Sequence, residues 1–230
     1  MELPSKYENK SGNPQFEKFI GKPKLSYSAY NSFKEPAYKG EFFGTYFLKE
    51  PRGSTIFTLF GGSVGVFLET GEPQEYLSNS DMEILRSEIG RPEGSVYEQE
   101  IVIDRGEYVI QGFIDRVRHL EEGVEIIDFK TGSIDKKKLD YAHADYNQTT
   151  LYAYALEQMG CSIGYSGVKL ADRKGNTLES GNKNVLRLTG EVLDIPTPYS
   201  KERAESFLES FDKVAKEIEQ YYKTYLKFFK

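Results

Sequence analysis

The chain has 230 residues, of which 38% are hydrophobic and 29% charged, with a formal net charge of −6. That balance belongs to a folded chain and not a disordered one, and the length allows one well-buried core or a core with a small accessory lobe. No apolar run reaches the roughly 18 residues of a membrane span, and the polar opening MELPSKYENKSGNPQF offers no secretion signal. The single cysteine, Cys161, excludes an intrachain disulfide framework and any metal site built from several cysteines. The expected location is therefore the cytoplasm or another intracellular compartment. The acidic total argues against a general nucleic-acid binder, although a metal enzyme must carry carboxylates and can still hold a local basic groove.

Residues 1–24 are polar and contain Pro4, Pro14 and Pro23, which predicts a loosely attached N-terminal arm before a single domain over 25–230. Ser26 or Ser28 caps a first helix, and Pro36 ends or bends it. The aromatic run Phe42, Phe43, Tyr46 and Phe47 then packs toward the core. In STIFTLFGGSVGVFLETG, residues 54–71, the apolar residues 60, 64, 67 and 68 follow helical spacing. Gly61, Gly62 and Gly65 weaken that helix and point to close approach by another group. A short helix over about 75–89 ends at Gly90.

The period changes to two in YEQEIVIDRGEYVIQGFIDRVRHLEEGVEIIDFKTG, residues 97–132. Breaks at Asp104-Arg105-Gly106 and Glu121-Glu122-Gly123 make this three antiparallel strands joined by tight turns. DYNQTTLYAYALEQM, residues 145–159, returns to helical spacing. SIGYSGVKLA supplies another strand and DRKGN a turn. Residues 184–195 hold one or two short strands, and Pro196 and Pro198 introduce a long helix over about 200–228. With no internal repeat and no low-complexity linker, the order reads as one α/β domain.

The hairpin of this middle segment carries the chemistry. Asp115 lies near the end of one strand and Asp128 on the next, and neighbouring strands sit about 5 Å apart, so side chains on one face can share an ion. Lys130 follows Asp128 at i+2 and so shares its face, while Phe129 points to the other. A hard divalent cation takes oxygen ligands, which two carboxylates and the Phe129 carbonyl can supply. A lysine beside it can orient water or offset phosphate charge. Alone, Asp-x-Lys is also compatible with an exposed ion pair contributing only about 0.2–1 kcal/mol. Three features add weight to a site: Glu98 or Glu100 at the opening of the first middle strand, Gln148 and Tyr152 at i and i+4 on the following helix, and Gly112 beside the Asp115 strand.

Together GFIDRV, IIDFKTG and QTTLYAYAL resemble motifs of the PD-(D/E)xK nuclease superfamily, in particular its RecB-like exonuclease branch, which includes Cas4-like proteins. LSYSAYNSFKEPAYK resembles the branch's opening helix, and the resemblance covers residues 25–156. It implies a restriction-endonuclease-like α/β core, a central mixed sheet flanked by helices, and DNA phosphodiester hydrolysis with Mg²⁺ or Mn²⁺. It assigns metal-ligand roles to Asp115 and Asp128, a catalytic role to Lys130, and the Q-x-x-x-Y helix to Gln148 and Tyr152. Glu35 stands where some members have an iron–sulfur cysteine, so no such cluster is expected. FGGSVGVFLE departs from the pattern: Gly65 stands where a metal-binding histidine is usual. Glu69, one turn later, or Glu98 or Glu100 is then needed to complete the site. Neither His119 nor His143 is an evident replacement.

The substrate implied is DNA, single-stranded or with a free end, and the resemblance favours exonuclease over endonuclease. Arg116, Lys34, Lys39 and Lys136, Lys137 and Lys138 are candidate phosphate contacts, which would make affinity salt-dependent. Tyr27, Tyr30, Phe33 and Tyr38 either stack on bases or pack the helical portion. No ATP-binding glycine-rich loop is present, so helicase activity would come from a partner in DNA recombination or repair. The competing expectation is a weak or inactive nuclease-fold protein that binds DNA or assembles a DNA-processing complex.

Overall fold

The computed structural model describes residues 1–51, 53–135, 140–141, 146–175 and 186–229. The chain divides into two compact units. The first comprises Met1–Gly53, Glu100–Phe113 and Ser200–Lys230, and the second Ser54–Gln99 and Ile114–Tyr199.

In the first unit, β1 (Lys24–Leu25) pairs in parallel with the start of β3 (Val109–Leu120). Leu3, Tyr7, Phe16 and Phe19 are buried, so residues 1–24 are packed by their apolar side chains and are not a loose arm. The expectation read the prolines and missed four apolar anchors spread among polar residues. Helix α1 (Tyr27–Lys34) starts where Ser26 Oγ accepts the Ala29 N–H at 3.2 Å, and it stops before Pro36. A short helix α2 (Lys39–Phe43) runs on into a π-turn at Gly44–Leu48. The long C-terminal helix of this unit, Lys201–Phe229, covers α1: Tyr30 stacks on Phe211 with ring centroids 4.4 Å apart. Phe33, Phe42, Phe43 and Tyr221 form one edge-to-face cluster. Tyr30 and Phe33 are therefore core residues and not base-stacking surfaces. Truncating either ring would cost about 3–5 kcal/mol.

The second unit opens with α3 (Ile56–Thr70), held by a Thr55/Thr58 capping box and ended by Gly71 at φ 78°. Its apolar stripe, Phe60, Val64, Phe67 and Leu68, is buried as the spacing predicts. That stripe packs with Met82 of α4 (Asn79–Ile84), with Leu85 and Ile89 of the π-turn that follows, and with Ala171 and Leu188 of the sheet. The middle of the chain forms β2 (Ser95–Asp104), the rest of β3, and β4 (Gly123–Gly132). β2 pairs with β3, and β3 with β4 in antiparallel register. Helix α5 (Gln148–Gln158) returns the chain so that β5 (Ile163–Lys174) runs parallel to β4. β6 (Arg187–Pro196) closes antiparallel to β5, and the C-terminal helix described above is α6. The strand order β1-β3-β4-β5-β6 is thus a mixed sheet with helices against it, as the sequence led one to expect. Among the described residues, no helix is long and apolar enough to cross a membrane.

Candidate active site

All of the geometry below lies in the second unit unless stated otherwise. The antiparallel pairs of β3 and β4 run from Leu120–Gly123 to Arg116–Ile127. Asp115 and Asp128 are the next residues on the two strands, and they emerge together on one face. Asp115 Oδ2 accepts the Phe129 N–H at 2.5 Å, so the carboxylate takes up a backbone donor just past the last of these pairs.

Asp128 is fully buried, at 0% exposure. Its Oδ2 lies 2.5 Å from Lys130 Nζ and accepts the Tyr146 O–H at 2.7 Å. Its Oδ1 is buried and has no hydrogen-bond partner among the described residues. An unsatisfied buried polar atom costs about 1–3 kcal/mol, and more when charged. A hard divalent cation is a group that such an oxygen fits, because it takes carboxylate ligands and returns the electrostatic stabilisation that burial removed.

A cavity of about 670 Å³ opens beside this pair, lined by Asp115 and Lys130 from the sheet, Glu98 from β2, and Gly62, Gly65 and Glu69 from α3. A Cβ built on Gly62 or Gly65 would meet nothing within 4 Å, and one on Gly61 would make only ordinary contact with Thr131 Oγ1 at 3.5 Å. The expected close approach of another protein group is therefore absent among the described residues: these glycines face the open cavity, and their missing side chains widen it. Phe129 also lines the cavity.

Glu98 has φ 49°, a left-handed conformation rare for a residue with a side chain. Such strain is held in place by its surroundings and is concentrated at functional sites. Glu98 and Glu100 differ in their surroundings. Glu98 lines the cavity. Glu100, in the first unit, is buried and engaged elsewhere: its Oε1 accepts Gln111 Nε2–H at 2.5 Å, and its Oε2 accepts the Ser11 O–H at 2.5 Å. Glu100 as a ligand is thus a correction: Gln111 and Ser11 take up its two carboxylate oxygens. Among the described residues, no three His, Cys, Asp or Glu side chains are already gathered as a cation cage.

Gln148 and Tyr152 meet as their i, i+4 spacing requires, with the Gln148 amide nitrogen 2.6 Å from Tyr152 Oη. Sequence reasoning missed Tyr146, whose hydroxyl lies 2.9 Å from Gln148 Oε1 as well as at Asp128. The helical reading of residues 145–159 took in Tyr146, but α5 begins at Gln148, so Tyr146 reaches Asp128 from the segment before the helix. The only local signal was its place two residues before Gln148.

The charges of the site shape one another. Burial, then the neighbouring Asp128 charge, pushes the Asp115 carboxyl up to about 7, against the pull of Lys130 and the Phe129 N–H. Burial works against the Lys130 ammonium, but the Asp128 and Asp115 charges outweigh it and hold the group above its ordinary value. Glu98 is raised by burial and then by the charge of Glu69. Burial pushes the Tyr152 hydroxyl well above the ordinary phenol range.

The expected phosphate contacts fare differently. Arg116 is only 2% exposed and pairs with Glu125 at 3.0 Å, under the sheet and not on a surface. Its place next to Asp115 in sequence puts it on the opposite face of β3. Lys34 and Lys39, in the first unit, lie over the rings of Tyr30 and Phe33. Lys136, Lys137 and Lys138 lie outside the described residues, as does His143. His119 lines a separate cavity with Cys161.

The model of the PD-(D/E)XK nuclease superfamily matches residues 68–225, and the chain belongs to that superfamily. Among solved structures, a protein of Eubacterium rectale that carries an exonuclease assignment aligns with a TM-score of 0.55 at 10% identity, over 96% of this chain and 88% of that one. The protein SSO0001 aligns with a TM-score of 0.35 at 13% identity, over 86% and 75% of the two chains. At these identities only the first likeness speaks, and it speaks for the fold. Among curated proteins, no sequence matches.

Proposed function

We propose that the chain is a metal-dependent deoxyribonuclease of the RecB-like branch, hydrolysing phosphodiester bonds as an exonuclease on DNA ends or single strands. The observation that carries this reading is the buried Asp128, tied to Lys130 through one oxygen and unengaged at the other, beside Asp115. Asp115, Glu98 and Glu69, which line the cavity, and Asp128, buried behind it beside Lys130, supply the oxygens that would hold Mg²⁺ or Mn²⁺; the Phe129 carbonyl is a further candidate. When bound, the cation supplies Lewis acidity toward the phosphoryl oxygens and a more acidic water. Lys130, kept charged by the two aspartates, can donate to a phosphate oxygen or to the attacking water. Tyr152 stays a neutral hydrogen-bonding phenol and fixes Gln148. The widened α3 wall leaves room for a sugar–phosphate backbone next to these groups. In this reading any helicase or recombination partner supplies the ATP-driven step, and the setting is intracellular DNA repair or recombination.

Two observations favour a second reading, a weak or inactive DNA-binding relative: Gly65 offers no ligand, and the described residues form no ready cage. The two separate in one experiment. End-labelled single- and double-stranded DNA and a circular control are incubated with the protein in Mg²⁺ or Mn²⁺, alongside Lys130→Ala. The nuclease reading expects metal-dependent cleavage of the linear substrates that Lys130→Ala loses while remaining folded. Retained DNA binding with no cleavage by the parent protein supports the inactive relative instead. Cleavage of the circle points to an endonuclease.

A further inference from the structure

The two phenols and the amide beside Asp128 pose a problem of proton counting. Tyr146 has one hydroxyl proton, yet its oxygen lies at hydrogen-bond distance from two acceptors: Asp128 Oδ2 at 2.7 Å and Gln148 Oε1 at 2.9 Å. It cannot donate to both. The Gln148 amide can be turned over, since its oxygen and nitrogen occupy interchangeable positions and only the surrounding bonds tell them apart. After the turn, the amide nitrogen lies 2.9 Å from Tyr146 Oη and the amide oxygen 2.6 Å from Tyr152 Oη. Those lengths suit the new partners better, because 2.9 Å is ordinary for N–H···O while 2.6 Å fits O–H···O. Each of these three contacts then has one donor and one acceptor. Tyr152 O–H donates to Gln148 Oε1, Gln148 N–H donates to Tyr146 Oη, and Tyr146 O–H donates to Asp128 Oδ2.

We propose that Tyr146 is a positioning residue for the cation site: it fixes Asp128 through Oδ2, under the direction of Gln148 and Tyr152, so that Oδ1 is presented as a single-oxygen ligand. Lys130 reaches the same oxygen, Oδ2, at 2.5 Å. Two donors on Oδ2 and none on Oδ1 break the symmetry of the carboxylate. They set its plane, and they disfavour chelation of one cation by both oxygens. Tyr146 acts on the ligand and not on the substrate, so its contribution belongs to cation affinity. The inference takes its biological meaning from the nuclease reading, but its measurement does not require cleavage.

The test is Tyr146→Phe, which removes one oxygen and keeps the ring in its edge-to-face contact with Tyr141. Mn²⁺ binding is followed by the electron paramagnetic resonance signal of free Mn²⁺, with thermal unfolding as the control for folding. Removing such an outer hydrogen bond is expected to weaken Mn²⁺ binding by roughly 10-fold or more. In cleavage assays the half-saturating metal concentration should rise by a similar factor, while the rate at saturating metal falls much less. A merely structural tyrosine would shift the melting curve without this split. Should Tyr146→Phe fail to fold, Gln148→Met, which deletes the donor to Tyr146, is expected to shift Mn²⁺ binding in the same direction. Unchanged Mn²⁺ binding by a folded variant overturns the proposal, as does a parent protein that takes up no Mn²⁺. A parent that binds Mn²⁺ but leaves DNA intact overturns the nuclease reading alone.

Discussion

Among the described residues, the second unit holds three buried aspartates that differ in one respect. Asp172 on β5 accepts the Ile134 N–H through Oδ1 and the Thr189 O–H through Oδ2. Asp81 in α4 accepts the Leu188 N–H through Oδ1 and both the N–H and O–H of Ser78 through Oδ2. Among the described residues, Asp128 places two donors on Oδ2 and none on Oδ1. The first two carboxylates are spent on the fold: they cap a helix or tie a strand to its neighbours, and nothing is left to offer. The third leaves an oxygen open at a standing electrostatic cost, which the fold tolerates only where something else completes it. Burial alone does not separate a structural acid from a functional one, whereas counting the partners of each oxygen does.

The largest expected effect breaks that contrast directly. Asp128→Asn should reduce cleavage by about 10²-fold or more, since loss of a ligand exceeds the 10- to 100-fold typical of outer partners, while the variant still folds cooperatively. Asp172→Asn should do the reverse. It sets an amide against donors that need acceptors, lowering stability by about 1–3 kcal/mol while cleavage at low temperature is retained. Urea unfolding and cleavage rates measured on both variants decide it. Equal losses of both properties in both proteins would erase the distinction.

The pH dependence sharpens it further. Asp115 is raised to about 7 by burial and by Asp128, above its value of about 3.9 in an unfolded chain. Between these values the folded state holds a proton that the unfolded state has released. The group's contribution to stability is therefore complete below about 4, declines as pH rises toward 7, and levels off above it. A cation must displace the same proton, so Mn²⁺ affinity should climb with pH, approaching 10-fold per unit below about 7 and flattening above. Calorimetric titrations between pH 5.5 and 8.5, on the order of a half-unit apart, would show it. Affinity that is flat across this range would mean that Asp115 is ionised throughout and not coupled to Asp128.

Much of this was legible in the residues, for reasons that can be named. Asp128 and Lys130 share a face because strand period is two, and Gln148 and Tyr152 meet because helix period brings i and i+4 together. The buried stripe of α3 followed from the same rule. What failed were the places where periodicity lapses. Glu98 and Glu100 were open alternatives at the start of β2, and only the structure separates them: Glu98, at φ 49°, lines the cavity, while the Glu100 carboxylate is taken up by Gln111 and Ser11. Tyr146 was read as part of a helix that starts only at Gln148, so helical spacing could not place it beside Asp128. Arg116 was judged by its charge, but neighbouring Asp115 already occupied the cavity face of the strand. The order of elements and the polar face of the hairpin could be read. Which oxygen of a carboxylate stays open could not, because that depends on how Lys130 folds back onto Asp128 and on Tyr146, brought in by the segment before α5.

The smallest expected effect tests the wall opposite the aspartates. Gly65 is inside α3, at an ordinary helical φ, and an added Cβ would meet nothing within 4 Å. Gly65→Ala should therefore gain the helix propensity that glycine forgoes, about 0.5–1 kcal/mol, with no packing penalty. Gly123→Ala is the contrasting case: its φ of 128° and a Cβ position 2.5 Å from Ser162 O make it destabilising. If Gly65→Ala gains stability and cleaves as fast as the parent, the glycine is only the space left by a ligand that other oxygens replace. If it gains stability but raises the DNA concentration needed for half-maximal cleavage, the empty side-chain position is itself part of the binding surface. A stability loss at Gly65 would contradict the open cavity and, with it, the room assigned to the DNA backbone beside Asp115.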